Sequence, residues 1–436
     1  MFREMTRLKR LTVGLLLSLS SILVTAAALE TWLAMAGIGT KPIHRYVPGK
    51  GSTYMPNAYY RHTKEGFSEG FINSHGFRDY ERTHEKPPKT FRILVLGDSY
   101  VEALQIALAD SFPALLEKKL NAASSSTRFE VINLGQSGFG TAEEYMRYLN
   151  FGIQYSPDLI LVAFLTGNDF SDNSKFLSQE NRGLYFEFDK NGNLVLDHSF
   201  WDRYEQSLTF GKRLFQKLKQ ESYVANFISE RLYLFRLQLR NSEFRRRFAR
   251  QDQKRLTRDI DDFSALNIYL SEISDHWKQA HAITAALLKK FRNRAEANGS
   301  RFVLVTLSNA EQVHPEIQRE LRERHPNVSF DFEQPDRVIE HIAKRENIDY
   351  LKLMPVFRGH HLRTGQYLHG FGGSKGGHWN ENGHRLAADR IFEFLREKGI
   401  VPLSISEYED SDASRAELSS ADGRHSHPPQ RGIRVH

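Results

Sequence analysis

Four short segments of this chain carry the residue types that acyl transfer requires: Gly97-Asp-Ser99, Gly135-Gln-Ser-Gly138, Gly167-Asn-Asp169 and His378-Trp-Asn380. A serine hydroxyl is a weak nucleophile, and a neutral imidazole such as that of His378 is the base that would activate Ser99. Attack on an ester carbonyl makes an oxyanion, which preplaced donors must meet. The Ser99 N–H, the Gly138 N–H and the Asn168 side-chain amide are three candidates. Gly138 has no side chain to obstruct close approach, and Asn168 offers N–H groups that an aspartate lacks. Taken singly, each segment has an ordinary use; a serine after a strand is often only a helix cap. Their joint placement is what points to chemistry.

That placement follows from the elements around them. Ile93-Leu-Val-Leu96 is an apolar run of the kind buried on both faces of a parallel sheet. From Phe91 onward strands and helices alternate. The strands are expected at 91–97, 129–134, 159–165, 302–307 and 348–353. The helices are expected at about 111–122, from 141, at 276–297, at 335–346 and at 381–398. Such alternation predicts a parallel five-stranded sheet with right-handed crossovers. Ser99, Gly138 and Asn168 then follow the first three strands, on the carboxyl edge where open α/β sheets bind ligands, and His378 comes from a loop on the same edge.

The 436 residues suffice for one large domain or two ordinary ones. The net charge of +7 suits anionic surfaces without saying anything about fold. The absence of cysteine excludes thiol catalysis, disulfides and cysteine-based zinc sites. Arg3, Arg7, Lys9 and Arg10 precede an uncharged run from Leu11 to Leu29. As a helix that run is about 28 Å long, the thickness of a bilayer core. The basic flank stays in the cytoplasm and the rest is exported. Residues 1–37 are read as a cytoplasmic flank and single-pass anchor in the inner membrane. If Ala26-Ala27-Ala28 were cleaved as a signal site, the chain would be secreted.

Residues 38–90 read as a mostly irregular arm with short strands, including the turn-like Ile72-Asn-Ser-His-Gly-Phe-Arg78, and a linker at Lys86-Pro-Pro-Lys89. The core is expected in two parts, 91–170 and 276–403. Between them, 171–275 reads as an inserted, mainly helical cap, with a hairpin around Lys190-Asn-Gly-Asn193 and a basic run at 244–255. Residues 404–436 have the composition of a disordered tail.

Gly97-Asp-Ser99, Asn133-Leu-Gly-Gln-Ser-Gly138, Gly167-Asn-Asp169 and His378-Trp-Asn-Glu-Asn-Gly-His384 resemble, in order and spacing, the four blocks of the SGNH (GDSL) hydrolase superfamily. The arm ending at Arg78 is similar to that of membrane-anchored bacterial members. The resemblance implies a flavodoxin-like α/β/α sandwich, with Ser99 as nucleophile, Ser99, Gly138 and Asn168 around the oxyanion, and His378 as general base. It implies no cofactor and no metal. The family usually has an aspartate two or three positions before the histidine, where this chain has Gly376 and Lys375, and no acid lies between Asp349 and Glu381. A backbone carbonyl or a carboxylate from elsewhere must therefore hold the imidazole, leaving an active Ser–His dyad. Asp98 and Asp169 are expected to fix loops by accepting backbone N–H groups, and His384 to be structural. Phe139, Phe170 and Trp379 are candidates for an acyl pocket or for core packing.

The function expected is an exported serine esterase taking acetyl or longer acyl groups off a glycan, lipid or small ester. An O-acyltransferase using the same acyl-enzyme is one alternative. A metal-dependent hydrolase built on His360, His361, His369, His378 and His384 is another. A third is a non-catalytic envelope protein that binds glycan or lipid on the same fold. No nucleic-acid partner is expected, since the basic residues are dispersed and no binding motif is present.

Overall fold

The computed structural model describes residues 7–36, 43–47, 50–178, 183–197, 199–229, 231–232, 235, 260 and 264–403. The expected tail, the basic run 244–255 and part of the expected cap lie outside the described residues. A long apolar helix, Arg7–Met35, comes first and carries its leucines from Leu11 to Leu29 exposed, while Leu33 is buried. Four short strands follow: β1 (His44–Val47), β2 (Gly51–Tyr54), β3 (Tyr59–His62) and β4 (Ser68–Phe71). They pair as two antiparallel ribbons, β1 with β2 and β3 with β4, so the arm is more regular than its composition suggests.

The core strands are β5 (Thr90–Gly97), β6 (Arg128–Asn133) and β7 (Leu159–Leu165), each within a residue of its expected bounds. A hairpin of β8 (Tyr185–Phe188) and β9 (Leu194–Asp197) interrupts them around Asn191-Gly192. The sheet is then completed by β10 (Arg301–Leu307) and β11 (Asp349–Lys352). The five core strands are all parallel, in the order β6-β5-β7-β10-β11. This is the flavodoxin-like order, with its reversal between β5 and β7.

Alternation along each strand makes the third layer. Leu94, Leu96, Ile160, Val162 and Leu304 join one buried cluster with Tyr145, Leu287, Leu288 and Ile339 from helices Thr141–Arg147, Asp275–Ala297 and Gln334–Arg345. Ile93, Val95, Val131, Leu161 and Val305 join the other with Leu116, Phe357, Ala388 and Leu395. These belong to helices Phe112–Ala122, Met354–Thr364 and Glu381–Glu397. Each such aliphatic side chain contributes about 1.5–3 kcal/mol by leaving water. The first and last helices share one face and the middle ones the other, as right-handed crossovers require for this strand order.

The arm is built into the sheet. Arg92 in β5 is fully buried, pairs with Glu130 at 2.8 Å, and donates to the carbonyls of Thr83, His84, Glu85 and Tyr155. Arg78 is buried too. Its guanidinium donates to the carbonyls of Glu102 and Ile106 at 2.7 and 2.6 Å and to the Tyr60 hydroxyl at 2.9 Å. Asn73 shapes the turn that delivers it, accepting from the N–H groups of His75 and Phe77. The short helix Ala310–Val313 and the helices Pro315–Arg324 and Met354–Thr364 are additional to the expected elements.

Candidate active site

Asp98 is the hinge between β5 and the short helix Ser99–Glu102. Its carboxylate accepts the Tyr100 N–H at 2.9 Å, so Ser99 opens the helix with its side chain free to face the sheet's edge. The Ser99 hydroxyl lies 2.8 Å from His378 Nε2 and 3.5 Å from Asp98 Oδ2, so the imidazole is its close partner. Both residues are partly accessible.

His378 sits in the loop before helix Glu381–Glu397, and the loop is pinned on both sides. Asn380 caps that helix through Asn382 and Gly383. Trp379 is fully buried and donates its indole N–H to the Ser308 carbonyl at 3.2 Å. The Tyr100 hydroxyl donates to the Gly377 carbonyl at 2.9 Å, and its ring lies 5.0 Å from the imidazole.

The acid missing from the motif comes from the arm. Glu65, in the turn between β3 and β4, places Oε2 2.5 Å from His378 Nδ1 and Oε1 2.8 Å from the His378 backbone N–H. One carboxylate thus holds both the ring and the backbone of the histidine. With Nδ1–H donated to Glu65, Nε2 keeps its lone pair for the Ser99 proton. Two glycines permit the approach. A Cβ on Gly377, at φ +105°, would stand 2.1 Å from Glu65 Oε1, and one on Gly66, at φ +66°, would stand 2.2 Å from the Gln105 carbonyl oxygen. The Phe67 N–H and the Ser68 hydroxyl bond to the Gln105 and Leu104 carbonyls, seating the turn beside the segment that follows Ser99. The sequence held no positional signal for Glu65, because it meets His378 across 313 residues.

Gly138 has φ +79° in the loop after β6, and neither its N–H nor that of Ser99 is bonded to another group among the described residues. Ser137 beside it donates its N–H at 2.9 Å, and its hydroxyl, to the buried Glu102 carboxylate. Burial pushes the Glu102 carboxyl up to about 7. Asn168 donates its amide to Asp172 Oδ2 at 2.8 Å and also reaches Asp98. Its donors are therefore directed at carboxylates. Behind Ser99, burial raises the carboxyls of Asp98, Asp169 and Glu144.

A cavity of about 450 Å³ opens on the Gly138 side, lined by His44 and Ser52 of the arm, Gln136 to Phe139, Glu143, Asp172 and Tyr185. His44 contributes its imidazole to the rim of this cavity. Phe139 lines this cavity and lies over the Arg147 guanidinium at 4.4 Å. Phe170 and Trp379 do not line it. Phe170 packs on Phe164 and His281, and Trp379 packs among Tyr100, Phe112 and Phe357, so both are core.

Asp169 accepts the Leu165 N–H at 2.8 Å, and buried His384 accepts the Phe112 N–H at 3.3 Å. The five histidines of the metal-hydrolase alternative do not converge. His360 faces Gln366, His369 the Ser308 carbonyl, and His378 the Ser99–Glu65 relay. Lys375 lies over the Tyr367 ring at 5.3 Å.

No family model and no curated protein matches the chain. Among solved structures, "TesA" is 14% identical, over 70% of this chain and 98% of that one, with a TM-score of 0.35. The acetyl xylan esterase AlAXEase is 12% identical, over 70% and 98%, with a TM-score of 0.37. The acetylxylan esterase Axe2 of Geobacillus stearothermophilus is 14% identical, over 70% and 94%, with a TM-score of 0.36. At such values the fold and chemistry of this chain rest on its own strands and residues.

Proposed function

We propose that this chain is a membrane-anchored serine esterase that removes a short acyl group from a polar alcohol through an acyl-enzyme on Ser99. The observation that carries this reading is the continuous relay Glu65–His378–Ser99, with contacts of 2.5 and 2.8 Å. Ser99 Oγ attacks the ester carbonyl carbon while its proton passes to His378 Nε2. Glu65 stabilises the imidazolium and keeps its orientation. The Ser99 and Gly138 N–H groups receive the oxyanion. Asn168 would join them by turning its amide from Asp172. Nε2–H then protonates the leaving alkoxide, and water, deprotonated by the same imidazole, releases the acid. The four blocks similar to SGNH hydrolases support the same roles.

The cavity beside Gly138 is lined by Ser52, Gln136, Ser137, Glu143 and Asp172, which suits a hydroxyl-rich alcohol such as a glycan better than a hydrocarbon chain. A sugar hydroxyl held there in place of water would make the protein an O-acyltransferase. The non-catalytic alternative drew on the missing acid, which Glu65 supplies, and on the basic run outside the described residues.

The membrane reading draws support from the helix Phe210–Glu221. It exposes Phe210, Leu214, Phe215 and Leu218, interspersed with Lys212, Arg213, Lys217 and Lys219. Glu30, just past the uncharged run, accepts the Ser222 hydroxyl and the N–H groups of Tyr223 and Val224 at 2.6–3.0 Å. The amphipathic helix therefore ends where the apolar helix would leave the bilayer, as an interfacial helix should.

The test is turnover of p-nitrophenyl acetate and of acetylated polysaccharide by the full chain in detergent, with and without sugar acceptors. The esterase reading expects free acetate from wild type and none from Ser99→Ala. Acetyl appearing on the acceptor would identify a transferase. Undiminished turnover by Ser99→Ala would end both readings.

A further inference from the structure

Away from the Ser99 relay, three residues converge that the proposed reaction does not use. His314 joins helices Ala310–Val313 and Pro315–Arg324, Glu316 lies in the first turn of the second, and His361 lies in Met354–Thr364. One ligand atom from each lies within 4.8 Å of the others. His314 is fully buried, and neither of its ring nitrogens has a partner. An unpaired buried polar group is costly, so this ring needs a ligand or an explanation. Its ring stands at 82° to that of His361, with centroids 4.4 Å apart.

The surroundings have the form that metal ligands take. His361 Nδ1 lies 3.1 Å from the Gln366 carbonyl oxygen, which assigns the proton to Nδ1 and leaves the Nε2 lone pair facing Glu316 Oε2 at 3.5 Å. The Tyr367 hydroxyl donates to Glu316 Oε1. Ligating histidines and carboxylates are oriented by such outer bonds. Two ligands on one tetrahedral zinc stand about 3.3 Å apart for bonds of about 2.0–2.1 Å. The Nε2–Oε2 separation is close to that.

We propose that His314, Glu316 and His361 bind a divalent transition metal, zinc by the chemistry of two imidazoles and a carboxylate. Its role is structural. It joins the two helices to Tyr367, and so fastens the start of the loop that carries His378. The competing arrangement is an ion pair between protonated His361 and Glu316, which would leave the His314 nitrogens unpaired.

The test titrates zinc into the chelator-stripped full chain in detergent, read by competition with a chromophoric chelator and by thermal unfolding. One zinc per chain is expected, with a rise in Tm. Tyr367→Phe, which keeps all three ligands, should weaken binding by about 10- to 100-fold. Glu316→Gln and His361→Gln should weaken it further and lose the rise in Tm. Cobalt should give the visible absorption of a tetrahedral site in wild type and, at higher cobalt, in Tyr367→Phe, but not in the two ligand variants. No stoichiometric binding, or binding equal in wild type and all three variants, would overturn the proposal. Tyr367→Phe keeps the comparison informative should a ligand variant unfold.

Discussion

Glu65 makes two bonds to one residue, and the second is as informative as the first. Its bond to the His378 backbone N–H fixes the loop, while its bond to Nδ1 fixes the tautomer. The approach depends on Gly377, where a Cβ would fall 2.1 Å from Glu65 Oε1. Gly377→Ala should therefore cost kcat/KM about as much as Glu65→Gln, roughly 10²–10⁴-fold, by analogy with losing the acid of a triad. Glu65→Gln, at this partly exposed site, should keep Tm nearly unchanged, whereas Gly377→Ala, at φ +105°, should lower it through backbone strain. A Gly377→Ala enzyme with wild-type kinetics would show that the contact is not needed. Ser99, Gly138 and His378 were legible because each follows a recognisable strand or precedes a recognisable helix. Glu65 was not, because the arm holds five acids and only tertiary packing selects one of them.

At the scale of elements, the arm and the core form one site. Arg78 ties the arm to the carbonyls at the end of the Ser99 helix, and Gln136 and Arg147 bond to Ser52 of β2. Glu102 ends that helix and holds Ser137, so it couples the Ser99 helix to the Gly138 loop. Its carboxyl is raised by burial to about 7 in the folded chain, from 4.5. Below about pH 4.5 both states are protonated. Between there and pH 7 the unfolded chain gives up this proton while the folded chain keeps it, so stability falls as pH rises, then levels off. Buried Asp79, raised to about 6, adds to the same trend. Relative to wild type, Glu102→Gln should gain in Tm as the pH is raised from 4.5 to 7, because it lacks this falling contribution. An unchanged slope in that variant would remove Glu102 from the account. The strands were legible as unbroken apolar runs such as Leu159–Leu165. Helix Pro315–Arg324 was not, because it buries only Leu321 and so shows little period. Helix Met354–Thr364 buries Met354, Phe357 and His361, a pattern broken by Gly359 and two histidines.

For the whole molecule, the apolar helix Arg7–Met35 and the amphipathic helix Phe210–Glu221 meet at Glu30, which would hold the core at a fixed height above the bilayer. The chain has no cysteine, so a single introduced one takes a nitroxide label uniquely. In nanodiscs, a label at Leu214→Cys should be relaxed by oxygen dissolved in lipid, and one at Lys212→Cys by a water-soluble nickel chelate. Equal exposure of both to the chelate would place this helix in water. The flanking run and the apolar stretch were readable from composition. The contact between residues 30 and 222 was not, because it joins segments far apart in the chain.

The most direct test of the central claim is the rate of labelling by a fluorophosphonate, followed by intact mass, since it needs no knowledge of the substrate. The Glu65–His378–Ser99 relay predicts one adduct per chain, located on Ser99, absent in Ser99→Ala and at least about 100-fold slower in Glu65→Gln. A folded wild-type chain that takes no adduct, or a Glu65→Gln chain labelled at the wild-type rate, would contradict it.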